Sequence, residues 1–276
     1  MHNKSWMARL MAAPHVVWSI LFILAPLAFV FYYAFTDKTG AFTLNNIKEL
    51  GSASYLDIFT RSLCFALAAT AICLLVAYPL AYAISRAKPR SQKICNMRTM
   101  LPMWMNFLIR TYSIMAILED TGFLNSLLGR IGLPPLHIIN TGGAVIFGMV
   151  YKYLPYMVLP IYTVLSKLDN RLLEASADLG CTPMQTFFKV VMPLSRSGVV
   201  SGVTMVFVPS VSTFYISQKL GGGKFQLIGD VIERQFQSAY NYNLGAAMSL
   251  VLMVLILLSL AVMNRYSDEG EGGLVA

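Results

Sequence analysis

EASADLGCTPMQTFFKVVMP, from Glu174 to Pro193, is the stretch that decides how the rest of this chain is read. It is polar and helix-forming, yet it lies between two strongly apolar segments. Asp169 predicts an N-cap, Asn170 and Arg171 a first helical turn, and Gly180 the terminator. Leu172, Ser176 and Leu179, with Leu173 beside them, predict one narrow face. A second helix restarts at once: Thr182 caps, Pro183 suits the first helical position, and Gln185 completes a capping box. Phe187, Phe188, Val190 and Val191 give that helix a bulky face before Pro193 closes it. The expectation is helix, glycine elbow, helix.

Working outward, the chain is 57% hydrophobic and 12% charged over 276 residues, with a mean hydropathy of +0.62. Soluble domains carry about 25% charged residues, so this one is dissolved in lipid. Six membrane spans are expected, near 16–35, 62–84, 101–118, 143–165, 198–217 and 245–263, in a single transmembrane domain with the polar hairpin in a loop at 166–197. The fold class is therefore all-α and integral to the membrane. The first run ends in FVFYYAF without a small-residue cleavage site, so it reads as a span kinked at Pro26 rather than a signal peptide. Between the first two spans Leu44, Ile47, Leu50, Tyr55 and Ile58 suit a segment lying along the membrane surface.

Charge sets the orientation. The short segment SRAKPRSQKICNMR after the second span holds Arg86, Lys88, Arg90, Lys93 and Arg98 and no acid. The next loop, from Glu119 to Gly142, holds only Arg130. With both ends inside, beginning from Lys4 and Arg9, twelve of the 21 Lys and Arg fall on inner segments, seven on outer loops, and Arg110 and Lys152 within spans. That arrangement places the hairpin in the cytoplasm, and the tail with Asp268, Glu269 and Glu271 there too. It also accounts for the net charge of +8 without nucleic acid. Cys64 and Cys73 lie in one span, Cys95 and Cys181 in cytoplasmic loops where thiols stay reduced; neither a CxxC nor a His-x-x-His pattern occurs, and no metal site is expected.

Catalytic motifs are equally scarce. Gly221-Gly222-Gly223-Lys224 lacks the phosphate-loop spacing and has Phe225 where a Mg²⁺-binding hydroxyl is required. His2, His15 and His137 flank no plausible nucleophile. The subunit is thus expected to be non-catalytic. Charges within spans cost about 2.5–3.5 kcal/mol on insertion scales. For Arg110 a structural place is the favoured reading, buried against a carboxylate or a helix C-terminus or snorkelling to the surface. For Lys152, in YKYLPY beside Pro155 and before Pro160, a structural and a transport role both stand, and a broken helix is expected there. Ser201, Gly202, Pro209, Ser210, Ser212 and Thr213 make the fifth span small and polar, fitting either close packing or a pathway or dimer surface.

The hairpin is also a signature. Permease subunits of ATP-binding-cassette (ABC) importers carry a cytoplasmic loop reading Glu-Ala-Ala, three residues, Gly, nine residues, Ile-x-Leu-Pro. Glu174, Ala175, Gly180 and Pro193 match it in register, with Ser176, Val190 and Met192 as small-for-small and apolar-for-apolar changes. NFLIRTYSIMAIL (106–118), GMVYKYLPYMVLPIY (148–162) and FVPSVSTFYISQKLGGGKFQLIGDVIERQF (207–236) resemble the spermidine/putrescine branch. One departure is Ser212-Thr213, where many relatives have Gly and an acid before Phe214.

The resemblance implies a type I importer permease of a bacterial inner membrane, with both termini cytoplasmic. Such a subunit works with a second homologous permease, two ATP-binding subunits and an external substrate-binding protein. It implies that ATP and Mg²⁺ are used by the partner ATPase and that no cofactor is bound here. Glu174, Ala175, Gly180 and Pro193 become the coupling residues; Tyr112, Phe214 and Tyr215 supply cation–π faces, and Glu119, Asp120, Asp230 and Glu233 acids, for a polycationic cargo. An importer for thiamine, iron or an oxyanion is the alternative, and Arg110 and Lys152 would suit an anion. A stand-alone secondary transporter would require paired intramembrane charges and an inverted repeat, and neither is seen.

Overall fold

A computed structural model describes residues 13–271. His2, Lys4 and Arg9 lie outside the described residues, as do the side chains of Asp268, Glu269 and Glu271. Thirteen helices follow one another among the described residues: α1 (Ala13–Ala34), α2 (Asn45–Leu50), α3 (Ala53–Ser85), α4 (Pro89–Trp104), α5 (Phe107–Leu118), α6 (Phe123–Arg130), α7 (Gly142–Ser166), α8 (Asn170–Asp178), α9 (Pro183–Leu194), α10 (Arg196–Val211), α11 (Tyr215–Leu220), α12 (Ile228–Gln237) and α13 (Tyr242–Glu271). An isolated bridge between Thr36 and Phe42 is the single extended pairing among them. The chain is all-α.

Four helices are long and apolar enough to cross a membrane, namely α1, α3, α7 and the Tyr242–Met263 part of α13. Two bent pairs raise the number to six if each is one span: α4 with Phe107–Arg130, bent by 94°, and α9 with α10, bent by 66°. The apolar stretch of α1 is 0% buried by the described residues of this chain, as suits a segment solvated by lipid or by another membrane subunit. At about 1.5 Å per residue, the 33 residues of α3 outrun a hydrocarbon layer and extend well beyond the 62–84 read from hydropathy.

Three local expectations are corrected. Residues 89–104 form a helix where a short basic loop was expected, and the 101–118 stretch is broken in two. Met105 is extended, and Asn106 caps α5 by accepting from the N–H groups of Leu108 (2.9 Å) and Ile109 (3.4 Å). The third is α7, which runs unbroken through Pro155 and Pro160. Met157, Val158 and Ile161 are fully buried on it, so packing holds the line that two missing N–H donors would otherwise break.

Pro26 does not simply kink its helix, and Pro193 does not end its own. Each follows a π-helical turn, Ile20–Leu24 and Phe187–Val191. The residue before each proline bonds back five positions, Ala25 to the Ile20 carbonyl and Met192 to that of Phe187. The wider turn makes room for the ring. Helix α9 then continues to Leu194 and breaks at Ser195.

The chain divides into two units. In the unit of residues up to Asp57 with Val231–Leu255, two asparagines finish α1. Asn46 donates to the carbonyls of Ala34 (3.1 Å) and Thr36 (2.9 Å), and Asn243 to those of Thr36 (2.6 Å) and Tyr33 (3.2 Å). Carbonyls left over at a helix end are thereby satisfied without water. The unit of Ile58–Asp230 with the residues from Ile256 onward holds the main core, where Cys73, Met149, Met157, Ile161, Leu165 and Val206 are fully buried. In it α10 packs on α7 through glycines. A Cβ on Gly198 would stand 2.9 Å from the Pro160 carbonyl, and one on Gly202 2.8 Å from Met157 Sδ. At these two glycines the contact between the helices is close packing.

Candidate functional site

The hairpin of α8 and α9 is built by local hydrogen bonds. Asp169 Oδ1 accepts from the Arg171 N–H at 3.0 Å. Gly180 sits at φ +79°, where an L side chain is strained, and its N–H returns to the Ala177 carbonyl. Thr182 and Gln185 form the reciprocal capping box, at 2.9 and 3.4 Å. Ser176 Oγ donates to the Leu173 carbonyl (2.7 Å) and lies 2.9 Å from Thr186 Oγ1, so it ties α8 to α9. An alanine there would leave the two helices without that link. The inward face centres on Leu173 and buried Ser176; Leu172 and Leu179, expected on it, are turned out, with Leu179 85% exposed. Glu174 and Ala175 are exposed as well, and so are Met184 and Phe188.

What anchors the hairpin to the core was invisible in the sequence. Phe187 stands edge-on to Tyr78 and Tyr82, with centroids 5.4 and 5.7 Å away. The Tyr78 hydroxyl is 2.6 Å from Ser195 Oγ. Arg86 Nη1 donates to Asn170 Oδ1 at 2.6 Å, and Gln92 Nε2 donates to the Ser85 and Ala87 carbonyls at 2.9 Å each, closing the end of α3. A tyrosine in a greasy span carries no motif; only the fold shows its partner.

The proposed pathway residues come together in part. Tyr112 on α5 and Tyr215 on α11 meet edge-on at 6.4 Å, and Phe107 lies 5.1 Å from Tyr215. Their faces already hold a cation of the chain: Lys219 Nζ is 5.4 Å from the Tyr112 centroid and 5.8 Å from that of Tyr215. Phe214 is exposed beside this cluster. Glu119 and Asp120 are exposed, with Asp120 Oδ1 2.9 Å from His137 Nδ1. Asp230 is not an exposed acid: it is 8% exposed, and its Oδ2 accepts from the Leu227 N–H at 2.8 Å, at the start of α12. Glu233 is half-buried.

The glycine triplet is a helix terminator. Gly222 and Gly223 take φ of +57° and +74°, and Gly222 lies against the Asn140 side chain. Gly229 is wedged on the backbone at the Ser212-Thr213 departure, where a Cβ would stand 2.6 and 2.7 Å from the two carbonyls. Of the intramembrane cations, Arg110 is buried and donates from Nη2 to the Met105 carbonyl (3.0 Å) at the end of α4, the helix C-terminus that its burial called for. Lys152 Nζ lies over the rings of Phe107 (4.1 Å) and Tyr153 (4.8 Å).

The family model described as binding-protein-dependent transport system inner membrane component matches residues 6–269. The chain belongs to that family. Membership makes it a transport permease subunit, with the inner-membrane setting of that family. Among curated family members it is 38% identical to the spermidine/putrescine transport system permease protein PotB of Haemophilus influenzae over 256 residues, 90% of each chain. It is 36% identical to the PotB of Salmonella typhimurium over 275 residues, 97% of this chain and 96% of that one. Among solved structures, a chain of a bacterial alginate ABC transporter in complex with alginate pentasaccharide-bound periplasmic protein superposes with a TM-score of 0.78 at 16% identity, covering 97% of this chain and 96% of that one. The fold is that of ABC importer permeases.

Proposed function

We propose that this chain is the permease of a polyamine importer, moving spermidine or putrescine by alternating access under the control of a separate ATPase. The observation that carries the substrate class is the 36–38% identity to spermidine/putrescine permeases across 90–97% of the chain. On this reading one of the two ATP-binding subunits docks on the exposed face of α8 and α9, where Glu174 and Ala175 stand beside uncovered Leu172, Leu179 and Met184. Gly180 and Pro193 set the shape of that hairpin, and a second homologous permease completes the pore. A binding protein delivers the cargo to the side holding Glu119 and Asp120. The Tyr112–Tyr215 pair and Phe214 then receive its ammonium groups, and Glu233 is a further acid available to attract the polycation. Asp230 contributes by fixing α12 rather than by touching cargo. ATP and Mg²⁺ belong to the ATPase, and this subunit performs no chemistry.

The hairpin and both termini face the cytoplasm on this reading, so Cys95 and Cys181 react with impermeant thiol reagents only from that side. Reconstitution with the ATPase, partner permease and binding protein tests the function: spermidine or putrescine stimulates ATP hydrolysis, whereas stimulation by thiamine, iron or an oxyanion alone would discard the polyamine reading. Uptake without any ATPase would discard the importer reading altogether.

A further inference from the structure

Arg110 and Lys152 line one crevice between α5, α7 and α11, together with Phe107, Thr111, Tyr151 and Ile216. Lys152 belongs to a candidate span and Arg110 to one of the two bent pairs. Arg110 is only 7% exposed. Its Nη2 is used by the Met105 carbonyl, but its Nε–H is buried and meets no acceptor. Lys152 has two aromatic faces and no oxygen acceptor. Neither is ion-paired with a carboxylate among the described residues. The Thr111 hydroxyl gives its proton to the Phe107 carbonyl.

Two cations in one low-dielectric slot repel each other, and each has lost most of its hydration. An aromatic face offsets part of that for Lys152, and nothing offsets it for the Arg110 Nε–H. The missing component is negative charge. The crevice is narrow, with room between its walls for one small particle. A water molecule fits and would accept the Nε–H bond, but it leaves both charges uncompensated.

We infer that the Arg110–Lys152 crevice is a binding site for a single halide-sized monovalent anion, chloride in the cell. The anion accepts from the Arg110 Nε–H and neutralises the pair, locking α5 against α7. It is a resident ligand rather than cargo, and its site does not depend on which solute the importer carries.

The importer complex containing the full chain is purified in sodium gluconate and titrated with sodium chloride or bromide at constant ionic strength. A saturable rise in Tm with either halide is expected, together with a bromide anomalous peak in the crevice of bromide-soaked crystals. Lys152→Met keeps the side-chain length and removes one charge; it should weaken the apparent halide affinity by roughly tenfold or more. Arg110→Lys retains a charge without the Nε–H, and should also weaken it if the complex assembles. Equal Tm in gluconate and halide, a crevice holding density without a bromide signal, or a halide effect undiminished in Lys152→Met would each overturn the site.

Discussion

The Tyr78 hydroxyl lies 2.6 Å from Ser195 Oγ, joining positions 117 residues apart. Both side chains are buried, and Ser195 Oγ also donates to the Met192 carbonyl at 3.1 Å. Tyr78 therefore serves as donor to the break between α9 and α10, where the hairpin turns into the next membrane segment. Ser195 ends α9, so this bond and the edge-on Phe187 contact join α9 to α3.

Tyr78→Phe should keep the ring contact and lose the bond, costing about 1 kcal/mol. Thermal unfolding of the complex reads that cost. On the proposed function the ratio of solute moved to ATP hydrolysed falls as well. A ratio equal to that of the unsubstituted protein would show that the bond braces the fold without taking part in coupling.

Gly198 and Gly202 meet different kinds of atoms on α7, and this separates their substitutions. A Cβ at Gly198 faces the Pro160 backbone carbonyl, which cannot move without α7. At Gly202 the nearest atom is Sδ of the flexible Met157 side chain, at 2.8 Å, and the Met157 backbone carbonyl is farther off at 3.1 Å. Gly198→Ala should cost about 1–3 kcal/mol, the range for overpacking, and Gly202→Ala less. Comparing Tm for the two variants checks it; an equal loss would mean that the helices separate rigidly.

These cases show what was legible. The caps of α8 and α9 lie within a few residues of the groups they bond, so Asp169, Gly180, Thr182 and Gln185 could be read locally. The break at Met105–Asn106 was also local, yet hydropathy masked it because LPMWMNFLI is apolar on both sides of the cap. The apolar length of α1 was legible because the run is continuous and no part of it is buried by this chain's described residues. Interhelical partners were not. Tyr78 with Ser195, and Asn243 with Thr36, are pairings that only the fold brings together. Asp230 looked like any outer-loop acid, and its burial follows from a helix start that composition does not announce.

Gly180 is needed for its backbone rather than for space. At φ +79° it has no heavy atom within 4 Å of where a Cβ would be. Gly180→Ala should therefore cost about 1–2 kcal/mol through conformation alone, and Gly180→Asn less, since asparagine tolerates this region. Tm of the three proteins orders them. Equal values for alanine and asparagine would point to a contact with another subunit.

Asp37 gives a pH dependence outside the membrane segments. Its Oδ1 accepts from the Thr39 hydroxyl (2.6 Å), the Thr39 N–H (2.8 Å) and the Ala41 N–H (3.0 Å). The Thr39 side-chain bond, above all, holds its carboxyl below the usual 3.8. A depressed pKa in the folded state stabilises the turn fully above the unfolded value and loses that effect as pH falls through the folded one. Exchange of the Ala41 amide should accelerate, relative to its intrinsic rate, only below about pH 4. In Asp37→Asn that protection should be reduced and independent of pH; protection that is level down to pH 2 in the parent would refute the assignment.

Lys219 occupies the aromatic pair proposed for the cargo. Its ammonium lies 5.4 Å from Tyr112 and 5.8 Å from Tyr215, so an arriving amine must displace it. Exposed cation–π contacts are worth about 0.5–1 kcal/mol. Lys219→Gln removes the competitor while keeping a polar side chain of similar reach. Half-maximal spermidine for uptake should then fall roughly two- to fivefold, with the maximal rate changed less. Tyr112→Leu in the same background should reverse the gain, since the face that the amine would use is gone. If Lys219→Gln instead weakened uptake, the lysine would be holding Tyr112 and Tyr215 in place, and the amine would bind elsewhere.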